Sequence, residues 1–231
     1  MRHLALISAA IGCFAPCAHA ARPMAVDDTG VNDPGTCQVE VWQEHEAGDR
    51  HLHVAPTCGV WPGLEINLET IHSRPSSEHA QGAFAGFRWA PSAWQFEHWS
   101  LALRGGWLKE KAPAGGAWSS VDWSLGLMAA RSLNDSVTLL LNLGHTHQLE
   151  SSRPLTTHGL GLLWTPNERW NLFVEALGEG RERPVLGMGA RWWPWPGTLG
   201  LDATLTRPTT PGALDFAALV DDAALAAQLM V

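Results

Sequence analysis

The sequence predicts an all-β protein: an antiparallel up-and-down transmembrane β-barrel of about twelve strands, with ten strands as the alternative. Three observations support this prediction. Segments of about ten residues alternate apolar and polar side chains, as in 137–144 and 199–206. Tight turns and longer polar loops alternate between these segments, and the chain begins with an export signal. An alternation of period two indicates strands, because successive side chains of a strand point to opposite faces.

The N-terminus predicts export. Arg2 and His3 precede an apolar run over 4–14, and Ala18-His19-Ala20 offers small residues for cleavage after Ala20. We therefore assign 1–20 as a signal peptide. A membrane anchor is the weaker alternative because the run is too short to span a bilayer. No later stretch has the length of a transmembrane helix, so a membrane protein with this sequence needs a closed barrel.

The strand pattern divides the mature chain. Residues 21–36 are predicted to be a loose periplasmic lead-in, 37–221 the outer-membrane barrel and 222–231 a C-terminal tail. The twelfth strand is the weakest, since its Ala-rich end is also compatible with a helix. Barrel termini are normally periplasmic, so the short turns should face the periplasm and the longer loops the outside. The candidate strands are 37–45, 51–58, 64–73, 81–90, 96–108, 118–131, 137–147, 156–165, 170–178, 185–193, 199–206 and 213–221.

Composition agrees with a barrel in the cell outer membrane. The chain has 13 Trp and no Tyr, and many of the Trp residues flank predicted turns. Aromatic rings at strand ends are typical of the girdles where lipid meets water. The formal net charge of −8 argues against a nucleic-acid partner. The expected partners are outer-membrane lipid and a small-molecule solute.

The mature chain retains two cysteines, Cys37 and Cys58, and they are predicted to form a disulfide. Ala47-Gly48 is a suitable two-residue hairpin turn. In the register that this turn sets, Val41 opposes Val54 and the two cysteines lie directly opposite each other. Opposed strand positions lie close enough for a disulfide.

Alternation also separates two faces of the barrel. One face is almost uncharged and includes Leu64, Ile66, Leu101 and Leu141, which we predict to face lipid. Charges of both signs fall on the other face, where unpaired buried charge would be costly, so acids and arginines should pair. A soluble β-sandwich is the competing interpretation of the same alternation. The predicted lumen-lining residues are Glu40, Glu65, Glu69, Arg88, Arg104, Asp122, Asn142, Glu175, Arg191 and Asp202.

Catalytic and metal motifs are weak. Outer-membrane phospholipases and lipid A deacylases share a His-x-Ser pair on one strand face, and Gly144-His145-Thr146-His147 comes closest but lacks the Ser. Glu44, His51 and His53 could approach a metal at a hairpin tip, but they supply no fixed fourth ligand. No phosphate-binding loop or Cys-His pair is present in the sequence. We predict no enzymatic activity, no cofactor and no metal.

The start of the mature chain carries a family resemblance. Residues 22–28 (Arg-Pro-Met-Ala-Val-Asp-Asp) and 33–40 (Asp-Pro-Gly-Thr-Cys-Gln-Val-Glu) resemble proteobacterial outer-membrane proteins similar to the family labelled "meta-pathway of phenol degradation". Met24 and Val26 stand where that family usually has Leu and Thr. The resemblance implies a transporter-like barrel and transfers no functional residue. The predicted function is a passive channel for small solutes. The alternatives are a non-conducting structural or surface-interaction barrel and, third, an outer-membrane hydrolase.

Overall fold

The computed structural model describes residues 24–46, 49–74, 80–111, 116–149, 151–208 and 223–230. The predicted signal peptide, 1–20, lies outside the described residues. In the part of the chain that is described, no helix has the length and hydrophobicity needed to cross a membrane.

Within the described residues, twelve antiparallel strands form one closed barrel, which confirms the predicted fold class and the higher of the two strand counts. Each strand pairs with its neighbours in sequence, and β1 pairs with β12 to close the sheet. The strands are β1 Cys37–Glu46, β2 Asp49–Trp61, β3 Leu64–Arg74, β4 Ala80–Trp89, β5 Trp99–Lys111, β6 Trp118–Asn134, β7 Val137–Gln148, β8 Arg153–Asn167, β9 Trp170–Glu179, β10 Val185–Trp195, β11 Leu199–Pro208 and β12 Ala223–Met230.

The closing strand differs from the prediction. The sequence pattern placed the twelfth strand at 213–221 and a tail at 222–231, whereas β12 occupies Ala223–Met230. Residues 213–221 fall outside the described residues. The alternation of apolar and polar residues could not identify this strand. Residues 223–230 read Ala-Ala-Leu-Ala-Ala-Gln-Leu-Met and contain almost no polar side chains. Backbone pairing with β1 and β11, rather than side-chain patterning, defines this strand.

One end of the barrel carries compact connections, which we call the short-turn end. Strands β2 and β3 are joined by Pro62-Gly63, where Gly63 has φ +75°, a conformation that favours glycine. Two-residue connections also join β6 to β7 and β8 to β9. The β4–β5 connection is longer than predicted and contains a short 3-10 helix, Ser92–Trp94.

The first hairpin has the register that the sequence predicts. Val41 pairs with Val54, and Cys37 pairs with Cys58. The two cysteines form a disulfide, so the predicted bridge is confirmed. It joins the start of β1 to the end of β2 and therefore lies at the short-turn end.

The packed core lies inside the barrel because a single closed sheet has only one enclosed face. Outward side chains stay exposed, as with Ile66 at 45% and Leu141 at 38%. Inward apolar side chains are buried in small clusters instead of one continuous core, and Met128 and Leu140 are both 0% exposed. The remaining inward face is polar and surrounds a cavity.

Candidate functional site: the barrel lumen

The barrel encloses a cavity of about 940 Å³, which we call the lumen. Its wall carries charges of both signs from strands all around the barrel. Among the ten residues predicted for the lumen, those that line the cavity are Glu40, Glu65, Glu69, Arg88, Arg104, Asp122, Asn142, Arg191 and Asp202. The tenth, Glu175, is 5% exposed and lies on the same inner face, beneath a stretch of chain that covers it.

That stretch is the N-terminal segment, residues 24–36. The sequence predicted 21–36 to be a loose periplasmic lead-in. The described part of this stretch is not loose, because its first residues lie inside the barrel. Val26 is 1% exposed and packs against Ala130 and Leu140. The Val26 backbone N–H donates to Glu175 Oε2 at 2.8 Å. A chain without its own secondary structure can be buried here because lumen side chains satisfy its backbone groups.

Two wall side chains, the amide of Asn142 and the carboxylate of Glu65, extend this backbone pairing along the segment. Asn142 Nδ2 donates to the carbonyl oxygen of Asp27 at 2.8 Å, and the Asp27 N–H donates to Asn142 Oδ1 at 2.8 Å. Further along, Glu65 Oε2 accepts from the backbone N–H of Asn32 at 2.8 Å and from its Nδ2 at 3.0 Å. The segment is therefore held at residues 27 and 32 by groups on two separate strands of the wall, β7 and β3.

The Asp27 side chain lies between two arginines of neighbouring strands. Arg88 Nη2 donates to Asp27 Oδ1 at 3.0 Å, and Arg104 Nη1 donates to Asp27 Oδ2. Arg88 also donates to the carbonyl oxygen of Gly30 at 2.9 Å, and its Nη1 lies 3.6 Å from Glu65 Oε1. Charge-assisted hydrogen bonds of this type are among the stronger polar contacts in proteins. We call Arg88 and Arg104 the double-arginine site.

The base of the segment is fixed at the short-turn end, beside the disulfide. The Gly35 N–H donates to the Gly59 carbonyl, and the Gly59 N–H donates to the Thr36 carbonyl, both at 2.9 Å. A Cβ at Gly59 would lie 2.2 Å from the backbone oxygen of Asp33, so only glycine permits this approach. The segment therefore enters the lumen through a close backbone contact.

A second charged group lies on the opposite part of the wall. Arg191 of β10 and Asp202 of β11 are cross-strand partners, and Arg191 Nε donates to Asp202 Oδ1 at 2.6 Å. Arg191 Nη2 also lies 3.7 Å from Glu40 Oε1. This contact links β10 to β1, past β11 and β12. This group contains strand residues only.

A third polar cluster surrounds His53 on β2. Its Nδ1 lies 2.7 Å from Glu69 Oε1, and its Nε2 lies 3.6 Å from Glu44 Oε2. The Trp42 ring stacks on the imidazole with centroids 4.5 Å apart. His51, considered with them as a metal ligand, instead contacts Ser73 Oγ at 2.8 Å. Among the described residues, no group of three or more His, Cys, Asp or Glu is arranged to hold a metal ion.

The His145-Thr146-His147 stretch does not bring a catalytic group into the lumen. His145 and His147 share the outward parity of Leu143, and both rings lie against Trp123 at centroid distances of 5.6 and 5.8 Å. They form part of an aromatic patch on the outer face of β6 and β7.

Sequence reasoning missed the residues of the N-terminal segment, above all Val26, Asp27 and Asn32. Two signals could have revealed them. Arg88 and Arg104 are directly opposed in the β4–β5 register. Two like charges in that position repel each other, so an anion between them is expected. Gly159 and Gly161 have no side chains and so leave a depression on the inner face of β8, which the Val26 side chain fills.

The fold is similar to solved outer-membrane porins. The KdgM porin matches with a TM-score of 0.59 at 9% identity, covering 84% of this chain and 97% of that chain. The KdgM porin in complex with disordered oligogalacturonate gives 0.58 at 8% identity, covering 84% and 96%. The NanC porin gives 0.50 at 8% identity, covering 84% and 97%. At such identities the likeness concerns the fold alone.

Sequence comparisons add one family. A family model described as "Uncharacterised conserved protein UCP029691" matches residues 9–195, most of the barrel and the whole N-terminal segment. Among curated protein sequences, none matches this chain significantly.

Proposed function

This chain belongs to the family described as uncharacterised conserved protein UCP029691, and from its barrel we propose an outer-membrane protein that acts as a passive channel for small solutes. The observation that carries the proposal is a polar cavity of about 940 Å³ inside a closed twelve-stranded barrel. Export through the signal peptide 1–20 and a periplasmic position of the short-turn end remain predictions within this proposal.

The outer face supports a place in lipid. Large apolar side chains stay exposed along successive strands, including Leu68 at 53%, Leu143 at 58% and Val174 at 52%. A continuous apolar surface of this kind in water would be an aggregation site. Trp side chains gather at the short-turn end, where Trp89 and Trp94 are 5.1 Å apart. Such girdles are typical of the lipid–water boundary.

The inner wall supports passage of polar solutes. Acids and arginines from many strands line the lumen, and rings of charged side chains determine which ions and polar molecules pass through a pore. The similarity to porins in fold supports a channel, and one of those porins is solved with an oligogalacturonate. For this chain we propose a small polar solute. The N-terminal resemblance to the phenol-degradation family remains a prediction.

The N-terminal segment narrows this channel without removing the cavity. The lumen lies beside the segment, and Ala25, Asp28 and Gly30 form part of its lining. We therefore expect a low conductance for a barrel of this strand number.

Planar-bilayer recording tests the channel. The mature chain should give discrete conductance steps. Ser124, which lines the lumen, and Leu125, which is 49% exposed on the outer face, provide a matched pair. Ser124→Trp should reduce the step size, whereas Leu125→Trp should leave it unchanged. A correctly folded barrel that gives no conductance steps would contradict the proposed channel function and favour the structural or surface-interaction alternative.

A second matched pair tests the membrane location. Leu141→Arg places a charge on the outer face near mid-strand and should destabilise the assembled barrel by about 2–4 kcal/mol. Asn142→Arg, one residue along on the inner face, should assemble but lose its two hydrogen bonds to Asp27. Heat-modifiable gel mobility reports assembly. Equal tolerance of both changes would contradict a lipid-facing surface.

A further inference from the structure

The double-arginine site has an unusual feature for a barrel wall. Arg88 and Arg104 are direct cross-strand partners on the inner face of β4 and β5. Like charges in directly opposed positions destabilise a sheet unless an anion lies between them. No acidic strand residue is directly opposed to Arg104, because its other cross-strand neighbour is Gly126. The anion comes instead from the N-terminal segment.

The contact resembles the way in which proteins bind a free carboxylate. The two oxygens of Asp27 are divided between the two guanidinium groups, Oδ1 to Arg88 and Oδ2 to Arg104. Bidentate recognition of a carboxylate by arginine is both strong and geometrically specific. Asp28 and Glu65 also face Arg88, at 3.7 and 3.6 Å, whereas Asp27 contacts both arginines.

We propose that Arg88 and Arg104 form a carboxylate-binding site of the lumen, which Asp27 occupies in the absence of solute. A solute that carries a carboxylate competes with Asp27 and loosens the segment. This inference rests on the proposed channel and names its solute class. Both arginines line the cavity, and 25% and 36% of their side-chain surfaces are exposed to it, so a solute can reach them while Asp27 is bound.

The concentration of free carboxylate needed to displace Asp27 can be estimated. A group on a short tether acts at an effective concentration in the millimolar range or above. A free carboxylate must therefore reach at least the millimolar range to displace Asp27 from the unmodified protein. With Asp27→Asn the tethered competitor loses its charge, and the same carboxylate should act at a concentration at least tenfold lower.

Displacement can be followed without any conductance measurement. Val26 is 1% exposed and adjoins Asp27, so a Val26→Cys reporter should react with a soluble thiol reagent only when the segment loosens. The other mature cysteines are in the disulfide. Acetate should raise the labelling rate at least fivefold over acetamide, its neutral analogue, with sodium chloride equalising ionic strength. Met24→Cys, which packs over Gly161, is a second reporter if the first does not assemble.

Three variants in the reporter background separate a carboxylate site from a structural clamp. Asp27→Asn should raise labelling without acetate, whereas Asp28→Asn, the same charge change on a 59% exposed side chain, should not. Arg104→Gln should abolish the acetate effect. Equal labelling in acetate and acetamide in both reporters would overturn the carboxylate site even if the channel conducts. If acetate raises the labelling rate of a barrel that gives no conductance steps, the channel function is contradicted and the carboxylate-binding site is supported.

Discussion

The two arginine groups of the lumen differ in where their counter-charges come from. Arg191 is paired by Asp202 and Glu40, which belong to β11 and β1 of the barrel itself. Arg88 and Arg104 are joined by Asp27, which belongs to a segment without regular secondary structure. The ion pairs of Arg191 persist as long as the sheet is intact. The ion pairs of Asp27 with Arg88 and Arg104 can be lost while the barrel stays closed.

This difference separates charge that stabilises the fold from charge that is available to a ligand. Asp202 has a side chain only 2% exposed, so removing its charge leaves a buried position uncharged beside Arg191, which is 19% exposed. Asp27 is 13% exposed beside a cavity, and water or solute can replace it. We expect variants in the two groups to diverge in stability and in function.

The largest divergence should come from matched carboxylate-to-amide changes. Asp202→Asn removes the buried carboxylate that lies 2.6 Å from the partly buried Arg191 and should cost about 3 kcal/mol of unfolding free energy. Asp27→Asn should cost no more than about 1 kcal/mol, since both arginines remain accessible to water. Urea unfolding followed by gel mobility measures both. Equal losses would show that the segment is as integral to the barrel as the strands.

The disulfide tests whether the segment depends on the hairpin below it. Cys37 and Cys58 are 21 residues apart, and constraining an unfolded loop of this size is worth roughly 3 kcal/mol at most. The Cys37→Ser, Cys58→Ser double variant should insert but unfold at a lower temperature. Asp27 should stay bound, because its contacts are with β4, β5 and β7.

Reduction of the unmodified protein is the control for that variant. The reduced protein should reproduce the lower unfolding temperature, and mass spectrometry should count two free thiols. A double variant that fails to insert would mean that the bridge is needed for assembly and not only for stability.

The smallest effect on the barrel is expected from Gly59→Ala. The new Cβ would lie 2.2 and 2.3 Å from backbone oxygens of Asp33 and Asn32, so the base of the segment must move. The barrel should lose about 1 kcal/mol, at the lower end of overpacking costs. Limited proteolysis should then cleave within 24–36 faster than in Val60→Ala, whose side chain points outward. Unchanged cleavage would contradict the role of this contact.

Local pattern was sufficient for most of the barrel wall. The alternation in 137–144 predicts both the strand β7 and its two faces, because side-chain direction follows from backbone geometry alone. The register of β1 and β2 is the one that follows from the predicted turn at 47–48, which lies outside the described residues, and it places the disulfide. The closing strand was misplaced because its Ala-rich sequence carries little period-two signal.

The candidate site was predictable only in part. The inward positions of Arg88, Arg104 and Asn142 follow from strand parity, since each lies on the polar face of its strand. Their common partner does not follow from parity. Residues 24–36 have no periodicity, and the contact between Asp27 and Asn142 joins positions 115 apart in sequence.

The sequence by itself determined the antiparallel barrel, its two faces and the first hairpin with its disulfide, because each depends on interactions between residues that are near in the chain or on an alternation that any strand obeys. The tertiary structure alone decided that the N-terminal segment lies in the lumen and that Asp27 joins Arg88 to Arg104. The physical reason is closure. Only when β1 pairs with β12 does the inner face become an enclosed space, in which an irregular segment can exchange water for the polar groups of strands far away in sequence.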